Sequence, residues 1–119
     1  NKKWFEHISS IPCLNTNVYF YENDVDGKYC RSICDFDSLF NIIIIDGRDR
    51  VNCIKKSIVK LASNGVLILD DSNRDDYKDG ILFLTLNGFR ELPFYGFKPS
   101  SLLITKTSIF YRDNNCFGI

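Results

Sequence analysis

Two continuous apolar runs, each followed directly by aspartate, constrain the fold of this 119-residue chain more than any other feature. Residues 42–45 precede Asp46, and residues 66–69 precede Asp70 and Asp71. A strand that is apolar at every position is typical of a parallel sheet covered on both faces. Ligands of such sheets bind at the carboxyl ends of the strands, so we expect the aspartates to lie at a site.

The segment between the two runs has the pattern of a helix. Asp49 is expected to cap its start, because a carboxylate can accept hydrogen bonds from the free amides of the first turn. The apolar positions that recur at helical spacing are Val51, Ile54, Ile58 and Leu61. We expect Gly65, which follows Asn64, to end the helix. The whole stretch is therefore predicted to be a strand–helix–strand unit.

The rest of the chain adds further elements to this unit. The predicted elements are helices over residues 3–9, 28–35 and 75–87, and strands over residues 18–21, 90–94 and 107–111. Gly88 is expected to end the third of these helices, and residues 96–101 to form a turn. This order describes an α/β domain that finishes with an antiparallel pair. We predict one domain over residues 1–119.

The composition excludes several classes of function. Fifteen basic and fifteen acidic side chains give no net charge, which argues against a nucleic-acid surface. The apolar runs are too short to span a membrane. Five cysteines without a CxxC pair are typical of free thiols in a reducing compartment, so we expect a cytoplasmic protein. The chain lacks methionine and opens like the middle of a longer sequence, which suggests a fragment.

Three segments resemble class I S-adenosylmethionine-dependent methyltransferases. Residues 40–47 (FNIIIIDG) resemble that family's fourth strand, and residues 65–71 (GVLILDD) resemble its fifth. Residues 88–90 (GFR) resemble the entry to its terminal hairpin of strands six and seven. The resemblance covers roughly residues 17–112. It implies a partial Rossmann-like methyltransferase fold, with a mostly parallel sheet, helices on both faces and a C-terminal antiparallel hairpin.

The resemblance also defines what this chain lacks. The family's sheet has the strand order 3-2-1-4-5-7-6, in which residues 18–22 would match strand three. The glycine-rich cofactor loop after strand one and the acid that ends strand two have no counterpart here. We therefore expect the C-terminal part of a methyltransferase that uses S-adenosylmethionine and a small-molecule acceptor. The isolated chain is expected to be inactive and not to bind S-adenosylmethionine. Upstream sequence, a rearranged sheet, or another chain through self-association would supply the missing sheet edge.

The resemblance places Asp46, Asp71 and Arg48 in the catalytic region. Asp46 would orient the acceptor, attract the sulfonium or act as a weak base, although it could equally cap the following turn. Arg48, with Arg50 and Arg74, would bind an anionic acceptor or simply neutralise the nearby aspartates. A non-catalytic binding or assembly module, in which the acids are only turn caps, remains the alternative function.

The cofactor and metal assignments also come from the resemblance. Glu22 and Asn23 would contact adenine, and Asp46 and Gly47 would complete the cofactor side of the crevice. Asp46 and Asp71 align with the acids that hold magnesium in metal-dependent O-methyltransferases. Ser72 stands where those enzymes have an amide, and Asn73 comes only after it. A divalent metal is therefore left open, with its ligands unknown.

Overall fold

A computed structural model describes residues 1–98 and 102–119. Its sheet has the strand order β1-β2-β4-β3. The strands are β1 (Phe40–Ile45), β2 (Leu61–Leu69), β3 (Arg90–Phe97) and β4 (Ile104–Tyr111). This is the order that the resemblance implies for family strands four, five, seven and six.

The sheet is mixed, so the prediction of a mostly parallel sheet is wrong. β1 and β2 are parallel, whereas β4 runs antiparallel to both β2 and β3. The antiparallel hairpin of β3 and β4 agrees with the prediction, but the predicted strand over residues 18–21 is not formed, so two of the three strand pairs described are antiparallel. The predicted strand–helix–strand unit supplies the one parallel pair among the described strands.

The predicted helices are confirmed with small differences at their ends. The helices are α1 (Lys2–Ser9), α2 (Lys28–Arg31), α3 (Arg50–Ser57) and α4 (Lys78–Leu86). Short 3₁₀ turns continue or precede them at Ser32–Asp35, Ile58–Lys60 and Asp75–Tyr77. Gly88 follows α4 with φ +81°, a left-handed conformation that glycine adopts without strain. It therefore ends the helix as predicted.

Gly65 does not end a helix, which corrects the prediction. β2 already begins at Leu61, so Gly65 lies inside the strand. Leu61 pairs with Phe40 and Val66 with Ile42, and the register shifts between these pairs. A Cβ atom at position 65 would lie 2.7 Å from Leu61 Cγ, closer than packing allows. The glycine is thus required by this irregular part of the strand.

The predicted strand over residues 18–21 is not formed. This segment lies outside every helix and strand and is held by ring contacts instead. Phe20 packs on Phe5 with 5.6 Å between ring centroids, and Tyr19 packs edge-on against Phe36 at 5.4 Å. A strand needs a hydrogen-bonded neighbour, and the described residues supply none here. In the predicted turn at 96–101, Gly96 belongs to β3, and residues 99–101 lie outside the described residues.

The core lies on one face of the sheet. Its buried side chains are Ile43, Ile45, Ile54, Leu61, Leu67, Leu69, Leu84, Phe89 and Phe110. Ile54 and Leu84 bring α3 and α4 onto this face. On the opposite face of β1, Ile42 and Ile44 are 45% and 66% exposed. The expectation that the isoleucine run is buried on both faces is therefore wrong for β1.

Candidate functional site

A polar cleft of about 840 Å³ opens at the carboxyl ends of β1 and β2. Its volume lies in the range of small-molecule sites, and its position is where α/β sheets bind ligands. Five of the predicted site residues line it: Glu22, Asn23, Asp46, Gly47 and Arg48. They come from two segments more than 20 residues apart, and the fold brings them together.

Arg50 organises the floor of this cleft. Its side chain is only 8% exposed, and Nη2 donates to Asp46 Oδ1 at 3.0 Å. Nε donates to the Gly47 carbonyl at 2.9 Å, and Nη1 donates to the Asp70 carbonyl. The guanidinium also lies 5.1 Å from the centre of the Tyr77 ring. One side chain therefore ties the end of β1 to the end of β2.

Asp70 lies on the far side of Arg50. Its Oδ2 is 3.9 Å from Arg50 Nη1, and its Oδ1 accepts a hydrogen bond of 2.7 Å from the Thr107 hydroxyl. Burial opposes ionisation, but the Thr107 hydroxyl, the Asp71 amide and Arg50 outweigh it. The pKa of the Asp70 carboxyl is therefore held below its usual value. Asp70 is thus an ionised anchor between β2 and β4.

Asp71 is buried and does not line the cleft. Its backbone is left-handed, with φ +49°, and its carboxylate pairs with Arg74 and with Lys98 Nζ at 3.5 Å. Arg74 itself does line the cleft. Asp71 therefore contributes to the cleft indirectly, by its ion pair with Arg74.

The loop after β2 does not fit a divalent ion. Asn73 Oδ1 accepts from the Lys106 amide at 3.2 Å, and the Ser72 hydroxyl lies 2.6 Å from that of Ser108. The polar atoms beside Asp71 are therefore already engaged. Within residues 1–98 and 102–119, no three His, Cys, Asp or Glu side chains are grouped as metal ligands.

Asp49 precedes α3, but its carboxylate does not cap the helix as predicted. Its backbone is left-handed, with φ +50°, and this directs the carboxylate elsewhere. It accepts from the Asp26 amide at 2.9 Å and from Asn52 Nδ2 at 2.8 Å. Asp49 therefore attaches the loop before α2 to the cleft.

Gly47 is required by the approach of Tyr29. A Cβ atom at position 47 would overlap the Tyr29 hydroxyl. The next amide, of Arg48, donates to that hydroxyl at 3.4 Å. The Arg48 side chain is exposed, and no carboxylate of the described ranges lies within 4.0 Å of it. Of the three arginines that line the cleft, Arg50 and Arg74 are paired and Arg48 is available to a ligand.

In the sequence, Arg50 is one of three similar arginines, and its separate role was not predicted. Its position four residues after Asp46 was the available signal, because a short loop can return an arginine to the carboxylate at the end of the preceding strand. Its second partner, Asp70, is far along the chain and gave no such signal. Two roles were predicted for these arginines, binding an anionic acceptor or neutralising the nearby aspartates. Arg50 and Arg74 have the second role, because each pairs with an aspartate, but Arg48 does not.

The cleft partly fits S-adenosylmethionine. The carboxylates of Glu22 and Asp46 line it and are exposed, so they can accept hydrogen bonds from hydroxyls and attract a cation. Asn23 offers an amide beside them. The glycine-rich loop that would meet the methionine part is not among the residues of this chain.

No protein-family model and no curated protein matches this chain. One solved structure, titled "a putative methyltransferase from Thermoplasma acidophilum", is similar to it with a TM-score of 0.46 and 19% sequence identity. The match covers 70% of this chain and 44% of that one, so the chain spans less than half of that structure's length. In the part of the chain that the structure describes, no helix has the length and apolarity needed to cross a membrane.

Proposed function

We propose that this chain is the C-terminal part of a methyltransferase domain that transfers a methyl group from S-adenosylmethionine to a small-molecule acceptor. The observation that carries this proposal is the cleft, where residues 22–23 and 46–48 meet at the carboxyl ends of β1 and β2. The strand order β1-β2-β4-β3 supports it, because the resemblance implies the same order.

Asp46 is the proposed positioning group. Arg50 holds one of its oxygens, while the side chain remains 64% exposed towards the cleft. S-adenosylmethionine would supply an electrophilic methyl group on a sulfonium. A fixed carboxylate beside that cation favours its placement and orients the acceptor, which lowers the entropic part of the barrier. Glu22 and Asn23 would bind the adenosine end, and Gly47, which also lines the cleft, would complete the cofactor side.

Asp71 has an indirect role in this proposal. It holds Arg74 by an ion pair, and Arg74 faces the cleft. Arg48 would contact the acceptor. None of these steps uses a metal ion, in agreement with the engaged oxygens around Asp71.

The test is methyl transfer by the protein extended upstream in its own gene, with labelled S-adenosylmethionine and a panel of small acceptors. We expect Asp46→Asn to lower turnover about tenfold or more, which corresponds to about 1.4 kcal/mol of transition-state stabilisation. Asp79→Asn removes an exposed aspartate from α4, outside the cleft lining, and is the matched control. Equal turnover in both variants would assign Asp46 to the structure alone.

A second candidate function, a non-catalytic assembly module, is favoured by the free edge of β1. Within the described residues, β1 pairs with β2 on one edge and with no strand on the other. Ile42 and Ile44 beside that edge are exposed. An unpaired edge is a template for another chain. The proposed occupant is a second copy, because two β1 edges related by a two-fold axis can pair antiparallel.

Size-exclusion chromatography with light scattering tests whether two copies of the chain associate through β1. The expected result is a dimer fraction that rises with concentration and falls in Ile44→Lys. Val59→Lys places the same charge at another exposed apolar position and is the control. A monomer at every concentration would remove this second candidate.

A further inference from the structure

A second, apolar pocket lies beside the polar cleft. Its volume is about 330 Å³, and Ile33, Phe36 and Ile44 are among its lining side chains. We call it the inner pocket. Cys53 also lines it, and burial raises the pKa of that thiol to about 12, so the sulfur is neutral. The inner pocket is thus suited to an uncharged, apolar group.

The inner pocket and the cleft share a boundary. Tyr21, Tyr29, Asp46 and Gly47 line both. The Tyr29 hydroxyl lies over Gly47, where only the lack of a side chain permits it. A ligand that passes this boundary would therefore place one end among apolar side chains and the other among charges.

Arg48 determines the charge of the polar end. Its amide donates to the Tyr29 hydroxyl at the boundary, and its guanidinium, unlike those of Arg50 and Arg74, has no carboxylate partner among residues 1–98 and 102–119. A guanidinium binds a carboxylate through two parallel hydrogen bonds. Glu22 and Asp76 also line the cleft, so a ligand with a second negative charge would be repelled.

We propose that the cleft and the inner pocket together bind an amphipathic monocarboxylic acid, with its apolar body in the inner pocket and its carboxylate on Arg48. This inference rests on the proposed function only in naming such an acid as the class of acceptor. The burial of the apolar body would provide affinity, and Arg48 would fix orientation.

The test is calorimetric titration of this chain, without S-adenosylmethionine, with four probes. These are 4-butylbenzoate, its neutral analogue 4-butylbenzamide, benzoate without the alkyl chain, and 4-butylphthalate with a second carboxylate. We expect 4-butylbenzoate to bind about tenfold more tightly than each of the others, since one good ion pair or a few buried methylenes has an effect of this size.

Two pairs of variants separate the two ends of the site. Arg48→Gln should abolish the preference for the acid over the amide, whereas Lys55→Gln, which removes an exposed charge on the outside of α3, should keep it. Ile44→Gln should weaken both alkylated probes several-fold. Ile42→Gln is its control, because Ile42 lies on the same face of β1 but does not line the inner pocket.

Equal binding of the acid and the amide, an unchanged preference in Arg48→Gln, or no binding of 4-butylbenzoate at millimolar concentration would each overturn the inference. These titrations need no cofactor, so their outcome is separate from that of the methyl-transfer assay. A protein that binds the acid but methylates nothing would keep this inference and remove the proposed function. Methyl transfer only to uncharged acceptors would keep the proposed function and remove this inference.

Discussion

Arg50 Nη2 and Asp46 Oδ1 lie 3.0 Å apart, and the two side chains differ sharply in exposure. The arginine is 8% exposed and the aspartate 64%. A buried cation therefore holds the carboxylate on one side, while the carboxylate faces the cleft on the other. This arrangement gives Asp46 a defined orientation that an exposed aspartate otherwise lacks.

We expect Arg50→Gln to destabilise the fold. The change removes the ion pair with Asp46 and leaves the Gly47 and Asp70 carbonyls without their donor, which costs about 2 kcal/mol of unfolding free energy. Urea denaturation followed by circular dichroism measures it. Arg31→Gln is the control, since the Arg31–Asp26 pair is half exposed on both sides and contributes less than about 1 kcal/mol. Similar losses in both variants would contradict the role of Arg50 in joining the ends of β1 and β2.

Asp70 should make the free energy of unfolding depend on pH in the acidic range. Its folded-state pKa lies below its value in the unfolded chain, so the ionised form stabilises the fold above about pH 4. The contribution is lost as the pH falls through the folded-state pKa. Thr107→Val removes a hydrogen bond to the carboxylate and should raise the Asp70 pKa, as read by carboxyl-carbon NMR titration. Thr85→Val, whose hydroxyl donates to the Ile81 carbonyl, should leave it unchanged.

Gly47→Ala should destabilise the cleft through Tyr29. The added methyl overlaps the Tyr29 hydroxyl, and the ring must move, at a cost of about 1–3 kcal/mol. Tyr29→Phe in the same chain should recover part of this loss, with a coupling of about 0.5 kcal/mol or more. A double-mutant cycle from thermal or urea unfolding gives the coupling. Strict additivity of the two changes would show that the residues do not meet.

The isolated chain should not bind S-adenosylmethionine at micromolar concentration. Only the proposed adenosine and acceptor sides of the cleft are present, and the loop that would surround the methionine part is missing from these residues. Calorimetry with the 119-residue chain and with an upstream-extended chain makes the comparison. Micromolar binding by the 119-residue chain would contradict the view that part of the cofactor site lies outside these residues.

The elements that were predicted correctly carry their signal within a few residues. The run at 42–45 and the helix that ends at Gly88 are examples, because apolar spacing and a left-handed glycine act locally. Gly65 misled the prediction, since the same residue type serves an irregular strand once Leu61 pairs with Phe40. The segment at 18–21 has strand-forming residues but no neighbour to pair with.

Part of the site could also be predicted, because its signal is local in the sequence. Asp46, Gly47 and Arg48 follow the carboxyl end of β1, and this position alone places them at a crevice. Arg50 depends on a contact with Asp70, twenty residues away, and so could not be separated from its neighbours in sequence. Asp71 was expected at the cleft from the family resemblance, but its left-handed backbone and its two cationic partners keep it below the surface.

The left-handed backbones of Asp49 and Asp71 have a consequence for protein engineering. Each non-glycine residue in this conformation costs about 1–2 kcal/mol. Asp49 lines the cleft and Asp71 holds Arg74, which lines it too, so the chain accepts backbone strain beside the place where a ligand would enter. Asn, which tolerates this geometry, would keep the loop shapes while deleting the charges. Asp49→Asn and Asp71→Asn are therefore the substitutions that would distinguish loop shape from loop charge in any later redesign of these two loops.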